Sequence, residues 1–143
     1  MNATVITSDL AIGSYTAIAE MQAQGWKCLC LTNEGGDFPN CEMQPLNDGG
    51  GNSIEMLEKA VLWILDVWKW QEKAYVCCRH GMNRSVSVGA AALTLAGRCE
   101  WFSVALRGIQ TLRLVATPRD DTLAEVMLMV CKQKKLLVHS YSV

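Results

Sequence analysis

The residues best suited to chemistry lie together in residues 78–85, with the sequence Cys-Arg-His-Gly-Met-Asn-Arg-Ser. A short apolar run over residues 74–78 precedes the loop, and a run of small residues follows it. A loop between a strand and a helix presents several backbone N–H groups to one point, and the helix N-terminus adds partial positive charge. We therefore predict a binding site for a tetrahedral dianion, lined by Arg79, His80, Gly81, Met82, Asn83 and Arg84.

Cys78 ends the predicted strand, at the base of this cradle. The N–H groups that bind a dianion also stabilise a thiolate. A thiolate beneath a bound phosphorus atom is in line for displacement, so the sequence predicts a nucleophile, with Arg84 as a bidentate clamp on two phosphate oxygens. The alternative is a buried thiol beside a surface arginine. Gly81 and Ser85 make the pattern more specific than the Cys–Arg spacing alone.

Asp48 is the carboxylate best placed to act as a general acid. It is the only acidic residue between Glu42 and Glu55, and three glycines follow it. A mobile loop carrying an acid can close over a substrate. From the residues alone, an Asn-Asp-Gly turn without chemistry is favoured. Glu34 and Asp37 are weaker substitutes for the acid.

The elements that would position these residues follow from periodicity and from turn signals. Strands are predicted at residues 5–7, 10–12, 26–31 and 74–78, with a short extended piece at 42–46. Helices are predicted at residues 16–24, 52–70, 84–96, 100–113 and 118–135. Asn52 and Glu55 are spaced as a capping box, and Pro118 would be the first residue of the last helix. Alternating strands and helices predict an α/β domain with a central, mostly parallel sheet flanked by helices.

The composition is that of one folded domain over residues 1–143. Half of the residues are apolar and 19% are charged, which excludes a disordered chain. The net charge of −1 gives no overall basic excess for nucleic acid. However, residues 1–72 carry ten acids and three bases, whereas residues 73–143 carry ten bases and four acids. This asymmetry favours an anion site in the second half.

Cysteine usage and hydropathy predict a compartment. The apolar runs are too short to cross a membrane, and the N-terminus lacks the features of a signal peptide, so no membrane association is expected. Seven cysteines, an odd number, predict free thiols in a reducing compartment, the cytoplasm. No Cys-x-x-Cys pair is present, and Cys28 and Cys30 are interpreted as core residues rather than metal ligands. The oligomeric state stays open.

The segment at residues 78–85 resembles the Cys-x5-Arg-Ser/Thr signature of the protein tyrosine phosphatases, above all of their compact dual-specificity branch. Looser similarity is found at residues 10–14, 44–48 and 113–118, so that the resemblance extends over nearly the whole chain. It implies the fold of these enzymes and a phosphorylated protein as substrate. It also implies hydrolysis without a metal or another cofactor.

The resemblance also implies a role for each of four residues. Cys78 would attack phosphorus and form a cysteinyl-phosphate. Arg84 and the loop amides would bind the phosphate and its transition state. Asp48 would protonate the leaving oxygen and then activate the water that hydrolyses the intermediate. Ser85 would donate a hydrogen bond that helps Cys78 to leave as a thiolate.

The chain departs from the family pattern directly before the nucleophile. The family usually has histidine at this position, and this chain has Cys77. A thiol is a poor hydrogen-bond donor, so we interpret Cys77 as a small side chain that packs there while the loop still works.

Two other functions fit part of the pattern. His80 and Asn83 resemble the loop of RNA 5′-phosphatases, which use the same cysteine chemistry. Those relatives usually have glycine where this chain has Val86, and no basic or aromatic platform for RNA is evident. A catalytically weak phospho-binding module is the second alternative. A rhodanese-like sulfur carrier is disfavoured by the Arg-Ser pair and by Asp48.

Overall fold

The computed structural model describes residues 2–34, 36 and 38–141, and within them five strands form one sheet. The strands are β1 (Ala3–Thr7), β2 (Leu10–Ser14), β3 (Lys27–Cys30), β4 (Cys41–Met43) and β5 (Ala74–Cys78). Their spatial order is β1-β2-β5-β3-β4. β1 pairs antiparallel with β2, and the other neighbouring strands pair parallel. The prediction of a central, mostly parallel sheet is confirmed.

Helices cover both faces of this sheet. They are α1 (Ile18–Ala23), α2 (Ile54–Lys69), α3 (Arg84–Leu95), α4 (Phe102–Leu112) and α5 (Asp120–Tyr141). Side chains of α2, α3, α4 and α5 build the larger core cluster, whereas α1 packs in a smaller cluster. None of the described helices combines the length and the apolar character that a membrane crossing needs.

β5 is the central strand, and every one of its residues is buried. Parallel strands covered on both faces have continuous apolar sequences, as β5 does. Val76 and Cys78 join the larger core cluster, whereas Tyr75 and Cys77 join the smaller one. Because side chains alternate along a strand, Cys77 and Cys78 lie on opposite faces of the sheet.

α3 is a helix of small residues that packs close to the sheet, as the sequence predicts. All of its residues from Arg84 to Thr94 are buried. A Cβ atom added at Gly89 would lie 2.7 Å from Ile12 Cδ1 on β2. This close packing fixes the N-terminus of α3 at the end of β5, where the loop of residues 79–83 connects the two elements.

Two predicted helix starts are wrong. Ser53, not Asn52, caps α2: its Oγ accepts the N–H of Met56 at 3.1 Å, while the Asn52 side chain bonds to a neighbouring loop. The last helix begins at Asp120 rather than Pro118, and the Arg119 N–H before it donates to the Asn83 side chain.

Other boundaries differ by a few residues. The last helix continues past residue 135, since no glycine or proline follows that position to end it. The predicted helix over residues 16–24 is divided into a 3-10 turn, Tyr15–Ala17, and α1. The extended piece predicted at residues 42–46 overlaps β4, and the chain continues beside β3 through the Gln44 and Leu46 N–H groups.

An ion pair fastens the turn between β1 and β2 to the C-terminal end of α3. Arg98 donates to both carboxylate oxygens of Asp9 at 2.6 and 2.8 Å. Its guanidinium lies 3.9 Å from the ring centroid of Trp68, and the Trp68 indole N–H donates to the Asp9 carbonyl. Hydrogen bonding from Arg98 lowers the pKa of Asp9.

Asp9→Asn should therefore destabilise the protein at pH 7 by about 0.5–1 kcal/mol, since the pair is partly exposed and solvent screens it. The folded-state pKa of Asp9 lies below its unfolded value of about 3.9. The contribution is therefore present above the unfolded pKa and is lost as the pH falls through the folded pKa. Urea unfolding of both proteins at pH 7 and pH 3 measures this change. The difference in unfolding free energy between the wild type and Asp9→Asn should be smaller at pH 3 than at pH 7. Asp66→Asn, at an exposed position on α2, is the control, and its difference from the wild type should not shrink in this way.

Candidate active site

A cavity of about 250 Å³ opens at the C-terminal end of β5. Its lining residues are Asp48, Cys78, Arg79, His80, Met82, Asn83, Arg84, Thr117 and Arg119. The structure thus brings Asp48 together with the loop of residues 78–85. A larger groove of about 640 Å³ between β4 and α2 contains none of the predicted site residues. The chemistry of the lining, rather than the volume, identifies the smaller cavity as the candidate site.

Gly81 is required by the conformation of the loop. Its φ is +66°, in the left-handed region that favours glycine. A Cβ atom at this position would lie 2.6 Å from Gly13 Cα and 2.7 Å from Arg113 Nη2. The loop therefore turns where only glycine fits against β2.

The carbonyl groups of the loop are all bonded to residues outside it. Ser14 Oγ donates to the Arg79 carbonyl at 2.8 Å, and Arg113 donates to the His80 and Gly81 carbonyls at 2.9 and 2.7 Å. The Thr117 N–H donates to the Met82 carbonyl at 2.9 Å.

The N–H groups of the loop consequently point to the side opposite its carbonyl groups. A trans peptide directs its C=O and N–H to opposite sides. No N–H of residues 80–83 donates to another of the described residues. Together with the N-terminus of α3, these groups form the cradle that an anion requires.

Cys78 lies beneath this cradle. Its side chain is buried, and its Sγ is 3.2 Å from the Oγ of Ser85, in the first turn of α3. The helix N-terminus and the hydroxyl can both stabilise a negative charge on sulfur. The geometry matches what a nucleophilic thiolate needs.

Arg84 is buried, with 4% of the residue exposed. Its Nη1 donates to the Leu46 carbonyl at 3.1 Å, and its Nη2 is 3.7 Å from Glu34 Oε1. Its Nε is 3.8 Å from Asp48 Oδ1 and has no hydrogen-bond partner among the described residues. A buried donor without a partner costs free energy. Because Arg84 lines the cavity, an anion there would satisfy it.

Asp48 is held more firmly than the predicted mobile loop. Its Oδ1 accepts from Asn83 Nδ2 at 2.8 Å. The backbone of residues 47–51 is bonded to the Asn52 side chain. Thr122 Oγ1 donates to the Gly49 carbonyl at 2.9 Å, and Glu125 accepts the Gly51 N–H at 2.8 Å. The first turns of α5 therefore fasten the loop.

Glu34, a weaker predicted substitute for the acid, lies at the rim beside two arginines. Its Oε2 is 3.1 Å from Arg79 Nε, and its Oε1 faces Arg84. It pairs with the cations of the site and does not line the cavity. The other substitute, Asp37, lies outside the described residues.

Cys77 is fully buried on the face of the sheet opposite the cavity. A hydrogen bond with the Cys30 thiol, together with burial, raises the pKa of Cys77 and keeps it neutral. Its surroundings match the predicted packing role.

In the described part of the chain, no group of three histidine, cysteine or acidic side chains is arranged to hold a metal ion.

Comparison with solved structures finds the same fold in phosphatases of low sequence identity. A mouse putative dual specificity phosphatase complexed with zinc tungstate has a TM-score of 0.83 at 18% identity, over 96% of this chain and 91% of its own. Human DUSP28 has a TM-score of 0.80 at 17% identity, over 93% and 99%. PTPMT1 in complex with PI(5)P has a TM-score of 0.77 at 15% identity, over 96% and 99%. This chain therefore has the same fold as these solved phosphatases.

Sequence comparison gives no further assignment. No protein-family model and no curated protein sequence matches the chain.

Proposed function

We propose that this chain, over residues 1–143, is a cysteine-dependent phosphatase that hydrolyses phosphate monoesters of proteins. One observation carries the proposal: Cys78, Asp48 and Arg84, whose Nε is buried without a partner among the described residues, line one small cavity together with the anion-binding loop. The fold, which is that of solved phosphatases, supports it.

In the first half-reaction, the Cys78 thiolate attacks phosphorus from the side opposite the ester oxygen. The S–P bond forms while the P–O bond to the leaving group breaks. Asp48 transfers its proton to the departing oxygen. Arg84 and the loop N–H groups stabilise the charge on the three phosphoryl oxygens in the transition state.

In the second half-reaction, the ionised Asp48 takes a proton from a water molecule, whose oxygen attacks phosphorus. The S–P bond breaks, and inorganic phosphate is released. Cys78 leaves as a thiolate, which the Ser85 hydroxyl, 3.2 Å away, stabilises by a hydrogen bond. All seven cysteines are free, and a catalytic thiol requires the reducing conditions of a compartment such as the cytoplasm.

A panel of phosphorylated compounds tests the proposal. It contains an aryl phosphate, phosphotyrosine and phosphothreonine peptides, the lipid PI(5)P that accompanies the neighbour PTPMT1, and a triphosphate-ended RNA. We expect hydrolysis of the aryl phosphate and the peptides, with inhibition by tungstate. Turnover of RNA alone would replace the protein substrate with RNA, and turnover of nothing in the panel would contradict a phosphatase.

Asp48→Asn tests the general acid. We expect a rate loss of about 10²–10⁴-fold on esters with poor leaving groups, because the amide has no proton to give. The loss should shrink on an activated aryl phosphate, whose leaving group needs no proton. Steady-state rates across a series of aryl phosphates measure this dependence.

Equal losses across that series would indicate a damaged structure rather than a missing acid. Wild-type rates on every ester would move the search to Glu34, which lies at the rim of the site.

A further inference from the structure

We propose that Asn83 is a positioning residue for the general acid, holding Asp48 so that one defined carboxyl oxygen carries the proton to the leaving group. This inference rests on the proposed function and deepens it. Neither the spacing of the loop nor the anion cradle requires an asparagine at this position.

The Asn83 side chain uses both its donor and its acceptor groups. Nδ2 donates to Asp48 Oδ1 at 2.8 Å and to Thr122 Oγ1 at 3.0 Å. Oδ1 accepts the N–H of Arg119 at 2.8 Å. Only 6% of the residue is exposed. One side chain thus joins the loop of residues 79–83 (the phosphate loop), the loop of residues 47–51 that carries Asp48 (the acid loop) and the start of α5.

Asn83 is also the N-cap of α3, and it makes no side-chain capping bond there. Asparagine at an N-cap normally accepts an N–H from the first turn of the helix. Ser53 does this on α2, where its Oγ accepts the Met56 N–H. At α3 such a bond would occupy an N–H that the bound anion needs. The side chain of Asn83 instead reaches the carboxylate of Asp48.

The contact at Oδ1 favours one of the two positions of the Asp48 proton. A protonated carboxyl group has one O–H donor and one carbonyl acceptor. Because the carbonyl oxygen of a carboxyl group is the stronger acceptor, the donation from Asn83 to Oδ1 favours the proton on Oδ2. The same N–H also bonds to the ionised carboxylate. The contact therefore persists through both half-reactions while Oδ2 delivers and later takes up a proton.

Other contacts hold the backbone of the acid loop rather than its carboxylate. Thr122 bonds the Gly49 carbonyl, and Glu125 accepts N–H groups of Gly51 and Asn52. Asn83 is the side chain that donates a hydrogen bond to the Asp48 carboxylate among the described residues. Removal of Asn83 should therefore affect proton delivery more than loop placement.

The test compares Asn83→Ala with the wild type on a poor and an activated leaving group, in the presence and absence of Asp48→Asn. Misplacement of a reacting group by an ångström can reduce the rate about 10²-fold. We expect Asn83→Ala to lose about 10–100-fold on the poor leaving group and less than about threefold on the activated one. In the Asp48→Asn background the second change should cost less than about threefold, since the two residues act as a unit.

Two further variants keep the result interpretable. Asn83→Ser keeps a small polar side chain at the N-cap of α3, but its hydroxyl is too short to reach the Asp48 carboxylate, so it should show the same leaving-group dependence even if Asn83→Ala folds poorly. Ser53→Ala removes an ordinary N-cap and should lower stability without changing the ratio of rates on the two esters. Urea unfolding of each variant separates stability from catalysis.

Equal losses on both esters, or an undiminished loss in the Asp48→Asn background, would overturn the inference and make Asn83 a support of the cradle. In that outcome the proposed function survives, because Asp48→Asn alone still shows leaving-group dependence. Absence of wild-type turnover on every ester would overturn the proposed function and this inference with it.

Discussion

Cys78→Ser is expected to abolish hydrolysis, with a loss of at least about 10⁵-fold, while the protein still binds phosphate esters. Serine fills the same space beneath the cradle, but its hydroxyl does not ionise at neutral pH. The N–H groups of the loop and the Arg84 guanidinium stay in place. Turnover of an aryl phosphate measures the loss, and calorimetric titration with a phosphotyrosine peptide or tungstate measures the binding that remains.

The adjacent residue supplies a matched control. Cys77 is also a buried cysteine on β5, but it lies on the opposite face of the sheet, in the smaller core cluster. Cys77→Ala should therefore change the rate by no more than a few-fold. If Cys78→Ser retained wild-type turnover, the cysteinyl-phosphate mechanism would be excluded. If Cys77→Ala stopped turnover, Cys77 would take part in the reaction, and its interpretation as a packing residue would be wrong.

The central part of the fold could be predicted because its signals are local. β5 is a short apolar run followed by Arg79, and its predicted bounds agree with the structure. Small residues that allow close packing on the sheet mark α3. Gly81 marks the one loop position where a side chain would collide with β2. Each of these features depends on a few consecutive residues.

The supports of the site could not be predicted because they join distant parts of the chain. Glu125 holds the N–H of Gly51, 74 residues earlier, and Arg113 holds carbonyls of the loop about 32 residues earlier. Nothing in an exposed-helix pattern distinguishes Glu125 from an ordinary surface acid. Arg113 does carry a signal, since it belongs to the segment that resembles the phosphatase family.

The capping error at α2 has the same origin. Asn52 and Ser53 are both favoured N-caps, and local spacing allows either. Asn52 is used elsewhere: its Oδ1 accepts the Asn47 N–H at 2.7 Å, and its Nδ2 donates within the loop and to Glu125. Contacts with the acid loop and with α5 therefore decide which of the two adjacent residues caps the helix. The residues that make these contacts are not visible in the local sequence around Asn52.

The second large effect is expected at Arg84. Arg84→Lys keeps a positive charge, but a lysine ammonium cannot donate two parallel hydrogen bonds from a planar group. An arginine that stabilises a phosphoryl-transfer transition state contributes about 10³–10⁵-fold to the rate, and we expect a loss of kcat/KM in that range. Affinity for tungstate should fall as well, because the same donors bind the ground-state dianion.

The position of Arg84 explains why the charge and length of a lysine side chain cannot replace the guanidinium group. Nη1 donates to the Leu46 and Leu31 carbonyls at 3.1 and 3.4 Å, and these bonds restrict the orientation of the guanidinium group. Among the described residues, Nε is a buried donor without a partner, 3.8 Å from Oδ1 of Asp48, the proposed general acid. A lysine would carry its charge on a flexible stem and leave the Leu46 carbonyl without its partner.

Arg107→Lys, at an exposed position on α4, makes the same chemical change outside the cavity and should leave kcat/KM unchanged. Unaltered kcat and KM in Arg84→Lys would show that the phosphate does not bind to this guanidinium, and the anion site would then have to be sought among the rim cations Arg79 and Arg119.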